Sequence, residues 1–96
     1  MPDTYWAERE RLLQALGVKL RFAREQCGLS QEALAHAADV HRTQICALEL
    51  GKRDPHVSMV LILADALAVP PASLFDGLPV PQKRRPATHS KGGWTP

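Results

Sequence analysis

Aromatic side chains are scarce in this sequence: two tryptophans, two phenylalanines and one tyrosine make up 5% of 96 residues. Any core must therefore be aliphatic, which a hydrophobic content of 45% allows. Cysteine is rarer still. Cys27 and Cys46 are the only two, too few for a disulfide scaffold and without the paired spacing of a zinc site. Both are read as reduced thiols, which suits a cytoplasmic protein; Cys46 is read as a small, half-buried residue rather than a redox sensor. Long hydrophobic runs are missing as well. The uncharged stretch Val57 to Ala64, apolar but for Ser58, is eight residues, against the roughly 20 a membrane-spanning helix needs. Met1-Pro2-Asp3 leads into Glu8, Arg9, Glu10 and Arg11, which is not the start of a secretory signal.

Catalytic and metal-binding groupings are also missing. His36, His41, His56 and His89 are scattered, with no H-x-x-x-H pair and no Cys/His cluster. Ser90-Lys91-Gly92-Gly93 lacks the spacing and the strand–helix setting of a phosphate loop. With no nucleophile–base pair and no paired carboxylates, neither an enzyme nor a metal or cofactor is expected.

The net charge of +2 conceals an uneven distribution. Residues 79–96 hold Lys83, Arg84, Arg85 and Lys91 with no acid, a charge of +4, whereas residues 1–78 hold 8 basic and 10 acidic side chains. The terminal segment also carries Pro79, Pro81, Pro86, Pro96, Gly92, Gly93 and a lone Trp94. Such a composition cannot bury enough apolar surface to offset its ordering entropy. The chain is thus read as one folded domain over 1–78 and a disordered basic tail over 79–96. The tail is either a solubilising end or an electrostatic arm for nucleic acid. The folded part is slightly acidic, so any nucleic-acid binding there depends on local placement of charge.

Leu13, Leu16, Leu20, Ala23 and Cys27 recur at spacings of 3, 4, 3 and 4, one face of an amphipathic helix. It is expected to begin between Tyr5 and Glu10 and to stop at Gly28, with Gly17 as a local weakness and Trp6 packed on the core. Ser30 is a strong N-cap for a short second helix ending near Ala37. Ala38-Asp39-Val40 makes a tight turn in which Asp39 tolerates the left-handed conformation. A third helix runs from about His41 to Leu50 and ends at Gly51, with Ile45 and Leu48 inward. Pro55 keeps Asp54 out of helix. A fourth helix, about Val57 to Ala68, is apolar nearly all round, and Pro71 opens a last turn through Phe75. No alternating strand pattern is seen. The fold class is all-α: five helices, two of them joined as a helix-turn-helix unit.

From Leu16 to Phe75 the sequence resembles the Xre-type helix-turn-helix family, the fold of phage repressors and Cro. The matching residues are Leu16-Gly17, Leu20, Arg24-Glu25, Gly28-Leu29-Ser30-Gln31-Glu32, Leu34-Ala35, Val40, Arg42-Thr43, Ile45, Leu48-Glu49, Gly51-Lys52-Arg53, Pro55, Leu61, Leu63-Ala64, Ala66-Leu67, Val69 and Leu74-Phe75. Departures are Asp39, where the family commonly has glycine, His41, where it has serine, and Met59 and Ile62, where it has polar residues.

The resemblance implies that the third helix enters the DNA major groove. Arg42, Thr43, Gln44 and Ala47 match the base-contacting positions. Arginine pairs bidentately with guanine and glutamine with adenine, while the Thr and Ala methyls meet the thymine methyl. Gln31 matches a phosphate-contacting position at the start of the second helix; Ser30 and His41 are further candidates, and Lys52 and Arg53 are read either as basic phosphate contacts or as an ordinary surface loop. Arg24 and Glu49 correspond to a structural ion pair joining the first helix to the third. The apolar fourth helix implies an exposed patch, either thickening the core or forming a homodimer interface through Met59, Ile62, Leu74 and Phe75 over a palindromic operator. The implied function is a sequence-specific, autoregulatory transcription regulator of the small-repressor or restriction–modification controller type. The alternative is an antitoxin-like module that binds a toxin-like partner protein, with DNA secondary.

Overall fold

A computed structural model describes residues 3–81. The basic side chains of the tail, His89 and Trp94 lie outside the described residues, so the expectation of a disordered tail does too. Five helices follow in chain order: α1 (Asp3–Gln26), α2 (Gln31–Ala38), α3 (Arg42–Glu49), α4 (Val57–Ala66) and α5 (Pro71–Phe75), with no strand among the described residues. α1 lies against α3 and α5, α2 against α3 and α4, and α4 against α5.

The core is aliphatic. Leu16 and Leu20 of α1 meet Leu34, Ala35 and Ala38 of α2, Ile45 and Leu48 of α3, and Val60, Leu63 and Ala64 of α4, with Leu67 and Leu74 closing the far side. Each fully buried leucine or isoleucine contributes about 1.5–3 kcal/mol against chain entropy. The α1 stripe stops short of expectation at both ends. Cys27 lies beyond the last helical residue and is exposed, its Sγ donating to the Leu67 carbonyl at 3.1 Å. Trp6 is 47% exposed rather than in the core. It meets Tyr5 edge-on at 5.3 Å, and the Arg9 guanidinium lies 5.8 Å from its ring centre. The helix begins at Asp3, earlier than expected: Ala7 to Leu12 are all strong helix formers, and the acid at Asp3 favours a helix N-terminus.

Four helices end in the same way. The 6→1 and 5→2 backbone bonds of a Schellman turn run Leu29→Arg24 and Gly28→Glu25 after α1, Val40→Ala35 and Asp39→His36 after α2, Lys52→Ala47 and Gly51→Leu48 after α3, and Val69→Ala64 and Ala68→Asp65 after α4, all 2.9–3.2 Å. The residue after the left-handed position is apolar and packs on the core in three cases, Leu29, Val40 and Val69. In the fourth it is the exposed cation Lys52. Asp39 takes the left-handed conformation at φ 57°, and so, unannounced by its residue type, does Ala68 at φ 56°. An alanine there is strained. Ala68→Gly is expected to stabilise the fold by about 1 kcal/mol, a rise in Tm of roughly 4–8 °C. An unchanged or lowered midpoint in thermal unfolding would contradict the strain.

Candidate nucleic-acid interface

The two short helices α2 and α3 meet across the Asp39 turn, and the side chains at their N-termini cap them. Ser30 Oγ accepts from the Ala33 N–H at 2.9 Å. His41 Nδ1 accepts from the Thr43 N–H at 3.1 Å and lies 2.8 Å from Thr43 Oγ1. A nitrogen that accepts carries no proton, so the ring hydrogen sits on Nε2 and remains a donor. The cap therefore fixes both His41 and Thr43 at the first turn of α3.

Helical periodicity divides α3 cleanly. Ile45 and Leu48 are 1% and 2% exposed. Arg42 and Thr43 stand in solvent, and Gln44, Cys46 and Ala47 are half-buried on the flanks. Gln44 shares a shallow cleft with Arg53, His56 and Met59, between α3 and the start of α4. A base-reading candidate and a phosphate-binding candidate are thus neighbours. Lys52 and Arg53 are exposed in the loop after α3, where Asp54 is paired with Arg9 at 3.0 Å. Nothing local in the sequence signals that pair, which spans 45 positions.

Behind the exposed face lies a buried polar junction. Arg24 Nε donates to Glu49 Oε2 at 2.6 Å and Nη2 to Oε1 at 2.9 Å, while Nη1 donates to the Leu29 carbonyl at 2.9 Å. Gln31 Nε2 donates to Glu49 Oε1 at 3.1 Å. The carboxylate of α3 therefore holds α1 and α2 at once. The hydrogen bonds to Glu49 push the Arg24 pKa up from its already high ordinary value, against the opposing effect of burial. A raised cation pKa leaves its stabilisation complete below the unfolded value and loses it only as pH rises through the folded one, so Arg24 stays charged and paired throughout the neutral and mildly basic range. Gln31, a phosphate candidate by sequence, is tied by one amide N–H to this junction.

Gly17 brings the junction together. It is buried in mid-α1, and a Cβ built on it would stand 2.6 Å from the Leu48 carbonyl oxygen and as close to that of Glu49. The glycine that reads as a helix weakness is where α1 touches the backbone of α3.

The apolar residues assigned to an interface separate into two groups. Leu74 is 2% exposed, which corrects it as a surface residue, whereas Met59 is half-buried, packed against the core on one side. Ile62 and Phe75 are 45% and 49% exposed, and Leu61, next to Ile62 in the chain, is 49% exposed. No described helix is long and apolar enough to cross a membrane, and no cluster of His, Cys, Asp and Glu among the described residues could hold a metal.

Residues 20–74 match the helix-turn-helix family model HTH_3. Among solved structures, the restriction–modification controller protein C.AhdI from Aeromonas hydrophila is 38% identical over 66% of this chain and 96% of its own, with a TM-score of 0.65. The hypothetical transcription factor NHTF from Neisseria is 31% identical over 74% and 79% of the two chains, with a TM-score of 0.66. The clp gene regulator ClgR from C. glutamicum is 28% identical over 67% and 83%, at 0.64. No curated protein matches. The chain thus belongs to the Xre-like helix-turn-helix family of DNA-binding transcription regulators and is not an enzyme.

Proposed function

We propose that the protein represses or activates its own gene as a homodimer on a palindromic operator, in the manner of small repressors and restriction–modification controllers. The observation that carries the reading is the division of α3, which keeps Ile45 and Leu48 in the core and leaves Arg42 and Thr43 in solvent beside the loop cations Lys52 and Arg53. Arg42, Thr43, Gln44 and Ala47 read base edges. Ser30, Gln31, His41, Lys52 and Arg53 hold phosphate. The dimer forms through Ile62, Phe75 and the half-buried Met59, with the exposed Leu61 added, setting the two reading helices about 34 Å apart. The likeness to C.AhdI supports the controller type.

Two substitutions test the division of labour. Arg42→Ala is expected to cost about 1–3 kcal/mol on the operator and much less on random duplex. Lys52→Ala is expected to weaken both alike and to lower the salt dependence by about one unit of slope. Equal loss on both duplexes for Arg42→Ala would remove Arg42 from base reading. The same apolar face of α4 and α5 would serve a partner protein if the chain were antitoxin-like. Sedimentation equilibrium separates the readings: a dimer at low micromolar concentration supports self-association, and a monomer at high micromolar concentration contradicts it.

A further inference from the structure

The N-terminal half of α1 precedes the family match, which begins at residue 20. It is nonetheless placed against the loop that carries the cations. Leu13 is buried. Gly51, at the start of the loop, packs on the backbone of Gln14 so tightly that a Cβ there would lie 2.7 Å from the Gln14 Cα. At the other end of the loop Arg9 Nη2 donates to Asp54 Oδ2 at 3.0 Å. Lys52 and Arg53 thus stand exposed between two anchors on one helix, Gln14 and Arg9.

Asp54 is the only acid between Gly51 and His56. Left bare, it would repel the phosphates that its two neighbours attract. Arg9 stands against it, and the side chains are 35% and 51% exposed. Such a pair contributes little to folding, yet it sets the charge of the loop. Glu10 lines the same cleft together with Lys52 and Asp54 and is the other acid there.

We propose that Arg9 is a positioning residue for DNA contact: it clamps and neutralises Asp54, so that the loop offers the phosphate backbone Lys52 and Arg53 with its own acid cancelled. The inference rests on the DNA-binding reading of the Lys52–Arg53 loop and assigns a role in it to the first turns of α1.

The test is equilibrium binding of the full chain to a random-sequence duplex at low and at moderate salt, which needs no knowledge of the operator. Arg9→Ala is expected to weaken binding roughly three- to tenfold at low salt, with the difference shrinking as salt screens the bared Asp54. Adding Asp54→Asn to Arg9→Ala is expected to restore affinity to near that of the wild type. Asp54→Asn alone should bind at least as tightly as the wild type. Thermal midpoints of all three should match the wild type, since the pair is exposed. Wild-type affinity in Arg9→Ala would overturn the proposal, as would a double variant no tighter than Arg9→Ala. A wild-type chain with no affinity for any duplex would overturn the DNA-binding reading itself, and this inference with it.

Discussion

Glu49→Ala is expected to lower stability by about 3–5 kcal/mol, a large part of what a domain of this size has. The loss comes less from the missing contacts than from what they leave behind. Arg24, whose side chain is 12% exposed, would keep its charge with its hydrogen-bonded anion gone, and the Gln31 amide would lose its acceptor. Glu49→Gln keeps the shape and one acceptor oxygen and should cost less than the alanine variant. Replacing both members, Arg24→Met with Glu49→Leu, should recover much of the loss, because no buried charge is then stranded. Urea unfolding of the four proteins checks the order. A Glu49→Ala midpoint indistinguishable from the wild type would contradict the buried junction. In a mutant screen for DNA binding Glu49 will score as essential, although it lies behind the reading face.

Gly17→Ala gives the second large effect, and its sign is the test. On helix propensity alone, alanine in mid-helix should gain about 1 kcal/mol over glycine. The structure predicts a loss of about 2–3 kcal/mol, because the new methyl meets the Leu48 and Glu49 carbonyls, backbone groups with no rotamer to yield. α1 and α3 would have to separate. Since α3 carries Arg42 and Thr43, DNA affinity should fall along with stability. A stabilised Gly17→Ala variant would show that the two helices do not approach as described.

Most helix ends and the inward face of α3 are local properties and are legible in the sequence, whereas the start of α1 at Asp3 and the end of α4 at Ala66 are not. Ser30, Asp39, Gly51 and Pro71 stand at element boundaries, and the three-residue step from Ile45 to Leu48 defines the buried side of α3. What could not be read depends on contacts between distant segments. Gly17 looks like a weak helix position until the carbonyls of α3 are placed against it. Arg9 and Asp54 look like ordinary surface charges until the fold brings them to 3.0 Å. The four residues assigned to a dimer interface all read as excess apolar surface. Only packing shows that α5 turns Leu74 into the core and leaves Phe75 outside. Gln31 illustrates the same limit for the site. Its position at the start of α2 suggests phosphate, but its amide also closes the Arg24–Glu49 junction, and a single glutamine gives no sign of a partner 18 residues away. Ala68 is a miss of another kind: its left-handed backbone is imposed by the Schellman turn after α4, where residue type alone predicts none.

The proposed role of α3 is to read a base sequence. It is tested most directly by the affinity of the purified chain for a duplex taken from upstream of its own gene, against random duplex, at two salt concentrations. A base-reading α3 should prefer the upstream duplex by about a thousandfold or more, in the range of specific regulators, a preference that is reduced by Arg42→Ala and survives in part at the higher salt. Equal affinity for both duplexes, vanishing together as salt rises, would contradict it and leave only a nonspecific cationic face.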